Sequence, residues 1–119
     1  MAKIVLLVDD EEAVRVMLGK LIERQGHTVF RAATGMEGIQ LYKEHSPNCV
    51  LLDVKLPDME GTEVLGKILE INPQAKIYLV TGVSDDDRKI EVKAEELGAK
   101  GYISKPVDVY RILDIVENC

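Results

Sequence analysis

The sequence predicts an α/β fold, a five-stranded parallel sheet with five helices packed on its two faces. Three observations predict it. Five short runs are almost wholly apolar and rich in Val, Ile and Leu, as strands buried on both faces are. The segments between them have helical period, and strands alternating with helices through right-handed crossovers make a parallel sheet. Four of the five runs stop at an acid, a hydroxyl or an ammonium. In a parallel sheet all such stops lie along one edge, where open α/β folds bind their ligands.

The first run, Lys3-Ile4-Val5-Leu6-Leu7-Val8, stops at Asp9-Asp10. In the helix after it, Val14, Met17, Leu18, Leu21 and Ile22 follow the spacing of one buried face, and Gly26 ends that helix. The second run, Val29-Phe30-Arg31-Ala32, is the one without a reactive terminus. Thr34 and Glu37 open the second helix as a capping box, the hydroxyl and the carboxylate each satisfying an orphan backbone N–H, and Pro47 stops it. Cys49-Val50-Leu51-Leu52 stops at Asp53, and a third helix turns Val64, Leu65, Ile68 and Leu69 inward before Asn72-Pro73. Lys76-Ile77-Tyr78-Leu79-Val80 stops at Thr81. A fourth helix opens at Ser84 with Asp85, Asp86 and Asp87 in its first turn, where acids suit the positive end of the helix dipole. Its apolar stripe is thin: Ile90, Ala94 and Leu97, then Gly98. Lys100-Gly101-Tyr102-Ile103 runs through Ser104 into Lys105-Pro106, and a fifth helix after Asp108 presents Val109, Ile112, Leu113 and Val116. For five such strands the order 2-1-3-4-5 is the leading choice, though the sequence alone does not derive it.

A chain of 119 residues is expected to be a single domain, residues 1–119, with no room for an output domain. The net charge of −6, from 15 basic and 21 acidic side chains, argues against direct nucleic-acid binding, which needs a Lys/Arg surface. The two cysteines, Cys49 and Cys119, read as a small buried hydrophobe and an exposed end, with no disulfide framework or metal-ligand pair, so a reducing cytosol is expected. The first apolar run is too short for a signal-peptide core or a membrane span. A soluble cytoplasmic protein follows, without membrane association.

In the proposed order Asp9, Asp10 and Asp53 end adjacent strands. Three like charges that close repel and raise one another's pKa, and a divalent cation removes the conflict. A carboxylate-rich, all-oxygen site suits Mg²⁺ better than a softer metal. With about −3 from the acids, +1 from Lys105 and +2 from the metal the site is roughly neutral, ready for a phosphoryl group.

The whole chain resembles a response-regulator receiver domain of two-component signalling, close to the chemotaxis receivers. The resemblance rests on Val8-Asp9-Asp10-Glu11-Glu12, Leu51-Leu52-Asp53-Val54-Lys55-Leu56-Pro57-Asp58-Met59-Glu60-Gly61, Val80-Thr81-Gly82, and Gly98-Ala99-Lys100-Gly101-Tyr102-Ile103-Ser104-Lys105-Pro106. It implies Asp53 as phosphoacceptor, Asp10 as a direct Mg²⁺ ligand, Asp9 acting through water, and the Lys55 main-chain carbonyl completing the protein's share of the metal shell. It also implies that Thr81 and Lys105 bind phosphoryl oxygens, that the Lys105-Pro106 bond is cis, and that Thr81 couples to Tyr102 as a switch. Lys55 and Val83 then flank the path of attacking water. The implied donor is a phosphohistidine on a sensor histidine kinase or a histidine phosphotransfer protein. The implied output surface, for a partner the sequence does not name, is the fourth helix, fifth strand and fifth helix, with a phosphorylation-dependent homodimer as one use of it. The chain is then a signalling phosphoacceptor that catalyses only its own phosphorylation and dephosphorylation. The competing reading is a phosphorylation-independent docking module, although such pseudo-receivers usually lose part of the acid, threonine and lysine set, which is complete here.

Other motifs weigh less. Gly61 to Lys67 fits most of a P-loop, but Ile68 stands where Mg²⁺ needs Ser or Thr, and the stretch reads as an amphipathic helix. His27 and His45 lack paired ligand spacing and read as surface histidines. A flavin phosphate, as in flavodoxin, would be repelled by Asp9-Asp10-Glu11-Glu12. A dehalogenase-type phosphatase needs a second aspartate where Lys55 stands.

Overall fold

The computed structural model describes residues 2–82 and 94–119. Its elements are β1 (Ile4–Val8), α1 (Glu12–Arg24), β2 (Thr28–Ala32), α2 (Gly35–His45), β3 (Cys49–Asp53), α3 (Gly61–Ile71), β4 (Ile77–Thr81), β5 (Gly101–Ser104) and α4 (Val109–Glu117). The predicted fifth helix is α4. Val83 and the predicted start of the fourth helix, from Ser84 through Ile90, lie outside the described residues, among which four helices are present. Residues 94–98 form a turn that closes on Gly98, at a φ of 97° that an L side chain rarely adopts.

All four strand pairings are parallel, in the order β2-β1-β3-β4-β5. The chain leaves β1 to one side for β2 and crosses back to the other for β3, so the topological switch point lies between β1 and β3. Side-chain alternation along each strand feeds two cores. Leu6, Val8, Val50, Leu52, Ile77 and Leu79 pack with α2 and α3, through Ile39, Tyr42, Val64, Leu65 and Ile68. Val5, Leu7, Leu51, Val80 and Ile103 pack with α1 and α4, through Leu18, Ile22, Ile112 and Val116. Both faces are covered, which is why the strands lack polar alternation.

Local signals decide the ends. Thr34 Oγ1 accepts from the Glu37 N–H at 3.2 Å, and Glu37 Oε1 accepts from the Ala33 N–H at 2.7 Å, one residue before the cap rather than at it. Ser46, left-handed at φ 45°, closes α2 before Pro47. Asp108 caps α4, its Oδ1 accepting from the N–H groups of Tyr110 at 3.0 Å and Arg111 at 3.4 Å.

Three sequence readings need correction. Met17 is 47% exposed, because the buried face of α1 is rotated toward Leu18, Gly19 and Ile22. The Arg31 guanidinium lies where a Gly19 Cβ would stand, and it bonds to the Arg15 carbonyl and Glu23. His27 is buried, not superficial: its Nδ1 accepts the Lys3 N–H at 2.9 Å and its Nε2 lies 3.0 Å from Glu117 Oε1. His45 is half-buried and stacks on Phe30 with ring centroids 3.8 Å apart. Cys119 is half-buried and packs into the same core as Cys49.

Candidate functional site

The sheet brings the predicted residues to one edge. Asp9 leaves β1 with its N–H bonded to the Ala32 carbonyl at 3.0 Å, and Asp53 is the last residue of β3. They therefore flank the switch point, the crevice where parallel α/β sheets bind ligands. Thr81 ends β4 and is fully buried, and the Lys105 N–H bonds to its carbonyl at 2.7 Å. The Lys105-Pro106 peptide is cis.

One carboxylate oxygen from each of Asp9, Asp10 and Asp53 lies within 4.8 Å of the others. Asp9 and Asp53 are buried and Asp10 is exposed. Asp9 Oδ1 accepts the Glu11 N–H at 2.9 Å, and Asp53 Oδ1 accepts the Lys55 N–H at 3.3 Å. Lys105 Nζ stands 3.3 Å from Asp53 Oδ2, 3.7 Å from Glu11 Oε1 and 4.0 Å from Asp9 Oδ2. A cleft of about 270 Å³ opens over them, lined by Asp10, Glu11, Asp53, Lys55, Gly82 and Lys105.

Burial pushes the carboxyls of Asp9 and Asp53 above the usual range; Asp9 raises Asp53 further, and Lys105 only partly offsets the effect. For Lys105, burial works to lower the ammonium but is outweighed by Asp53 and Asp9, so it is held above its ordinary value. One ammonium does not neutralise this pocket. The convergent donors are carboxylates, without thiolate or imidazole, and such a hard, all-oxygen set fits Mg²⁺.

Two neighbours escaped the sequence reading. Glu11 shares Lys105 with the aspartates, though the sequence marks it only as one of a run of acids. Asp58 accepts the N–H groups of Gly35 at 2.8 Å and Met36 at 3.0 Å, so the loop after β3 caps α2 from outside. No local spacing could reveal that contact. Gly61 lets α3 start against β3, because a Cβ there would strike the Asp53 carbonyl oxygen and Val54 Cα. Its N–H donates to the Val54 carbonyl at 2.6 Å. The P-loop-like stretch is thus an ordinary helix, α3.

A parallel 2-1-3-4-5 sheet with an acidic cluster and a lysine at the switch point defines a receiver, and comparison with known proteins agrees. The family model of the response regulator receiver domain matches residues 5–117, and the chain belongs to that family. It is 34% identical over 118 residues to the chemotaxis protein CheY of Halobacterium salinarum, covering 99% of this chain and 97% of that protein. It is 33% identical over 113 residues to the sporulation initiation phosphotransferase F of Bacillus subtilis, covering 95% and 90%. A CheY-like receiver domain protein from Methanospirillum hungatei superimposes with a TM-score of 0.88 at 36% identity, over 99% of this chain and 93% of that one. Receiver domains are signalling phosphoacceptors of two-component and phosphorelay systems. They bind Mg²⁺ in an acidic pocket and work with histidine kinases, phosphotransfer proteins and output domains. Among the described residues, no helix is long and apolar enough to cross a membrane.

Proposed function

We propose that Asp53 accepts a phosphoryl group from a phosphohistidine of a sensor histidine kinase or histidine phosphotransfer protein. The observation that carries this reading is the Asp9, Asp10 and Asp53 cluster, with Lys105 Nζ 3.3 Å from Asp53 Oδ2. An Asp53 oxygen attacks phosphorus, the bond to the imidazole nitrogen breaks, and an acyl phosphate forms on Asp53. Asp10 would hold Mg²⁺ directly and Asp9 through water, with an Asp53 oxygen and the Lys55 carbonyl completing the protein ligands. Bound there, Mg²⁺ supplies positive charge for the equatorial phosphoryl oxygens. Lys105 would supply more, and the Thr81 hydroxyl would bind a further oxygen. Chemistry is confined to the protein's own phosphorylation and dephosphorylation.

Occupation of Asp53 draws Thr81 toward the phosphoryl group and frees space for Tyr102 to turn inward. That changes the surface of β5 and α4; the predicted fourth helix, the third part of the output face, begins outside the described residues. Tyr102 is half-buried against the α2/α3 core, and its carbonyl accepts Arg111 Nη2 of α4 at 2.8 Å, which ties the two elements.

Intact mass after incubation with acetyl phosphate and Mg²⁺ tests the reading. A gain of about 80 Da, one phosphoryl group, is expected, with none in EDTA or in Asp53→Asn. No gain in the wild type would leave the domain a phosphorylation-independent docking module, and an equal gain in Asp53→Asn would refute Asp53 as the acceptor.

A further inference from the structure

At the edge of the sheet opposite the acids, a second group of reactive side chains converges. Cys49 opens β3 and is fully buried; Cys119 lies just past α4, half-buried in the same core. Their approach is built by the backbone around them. Lys3 Nζ holds the Cys119 carbonyl at 3.1 Å, and the next residue, Ile4, exchanges two bonds with Asn48, the neighbour of Cys49. The Cys119 N–H bonds to the Val116 carbonyl at 3.2 Å, which ties the last residue to the end of α4. The two thiols share one core and lie close enough for each to perturb the other's ionisation.

We propose that Cys49 and Cys119 form a reversible, redox-sensitive disulfide that staples the end of α4 to the start of β3. Sequence spacing gives no hint of this pair, which only the parallel sheet and the return of α4 bring together. The roles of the two thiols differ. The neighbouring Cys49 lowers the Cys119 thiol, with Lys76 and Lys3 adding to the effect against burial. The same pairing, and then burial, push Cys49 far up. Cys119 is therefore the entry point: partly exposed, near cations and the more readily ionised. Its thiolate attacks a small-molecule disulfide and expels one thiolate, leaving a mixed disulfide at Cys119. Cys49 then loses its proton to the departing thiolate and attacks the Cys119 sulfur, expelling the second thiol. Two protein thiols are oxidised, one small disulfide is reduced to two thiols, and no other reagent is needed. The product closes the chain from 49 to 119 into a loop, which removes conformational freedom from the unfolded chain. The pair sits at the strand starts and the phosphoacceptor at the strand ends, so the staple changes the anchoring of α4 and leaves the site chemistry intact.

The test uses the whole chain and glutathione disulfide, followed by intact mass, a non-reducing peptide map and thermal melting. The expected product is monomeric and about 2 Da lighter than the reduced chain, with Cys49 and Cys119 peptides linked. It melts several degrees higher and reverts with a reducing phosphine. Cys119→Ser, at the less buried position, should neither lose that mass nor shift its melting on oxidation, and Cys49→Ser should stop at a glutathione adduct on Cys119. A stable adduct on the wild type, linkage between two chains, or the melting shift persisting in Cys119→Ser would overturn the proposal. Acetyl phosphate labelling of oxidised and reduced protein should agree within twofold; a larger loss on oxidation would refute the separation of the staple from the phosphoacceptor.

Discussion

Asp58 does its work through two bonds that no neighbour in sequence could predict. Its carboxylate accepts the first N–H groups of α2, those of Gly35 and Met36, and these bonds hold its pKa below the ordinary carboxylate value of 3.8. The carboxylate form is therefore the one the fold binds. Its contribution is complete above the unfolded value, near pH 4, and is lost as pH falls through the lowered folded value. Asp58→Ala should weaken the protein at neutral pH and make its stability fall less steeply below about pH 4. Urea melts across that range check this; parallel acid limbs in wild type and variant would refute it. Asp9, Asp10, Asp53, Thr81 and Lys105 were all legible as chemistry because each ends or follows an apolar run. Asp58 was not, because its partners lie 22 and 23 positions away.

Among the elements, α3 starts directly against backbone. Its first residue, Gly61, abuts the backbone of Asp53 and Val54, the end of the strand that carries the proposed phosphoacceptor. Gly61→Ala must move α3 or β3, and overpacking of this kind costs about 1–3 kcal/mol. Chemical denaturation should show that loss together with a slower acetyl phosphate reaction, since Asp53 moves with the strand. An unchanged midpoint would mean that the loop yields instead. The helical period in α1 was read correctly as a helix but with its face misjudged. Met17 fits the apolar spacing, yet the close seat of the Arg31 guanidinium on Gly19 turns the helix toward Leu18 and Ile22. Periodicity states that a face exists, and the packing partner decides its centre.

At the scale of the molecule, one sheet separates two cores and two edges. Tyr102 on β5 belongs to the α2/α3 core while its neighbour Ile103 belongs to the α1/α4 core, so a movement at the end of β4 reaches both faces through β5. Tyr102→Ala should keep phosphoryl uptake at Asp53 within about twofold while abolishing most of the phosphorylation-dependent change in amide exchange over β5 and α4, the separation expected when switching is a population shift between packings. Equal loss of uptake and response would contradict that division. By itself the amino-acid sequence determined the alternation of strands and helices, the parallel sheet, the family, and the identity of the acids, hydroxyl and lysine at its carboxyl edge. All of these follow from apolar period and from which residue ends each run. Tertiary structure alone decided the strand order, the burial of His27, the Asp58 cap on α2 and the meeting of Cys49 with Cys119. Each depends on which distant segments become neighbours once both faces of the sheet are covered, and local spacing carries no record of that.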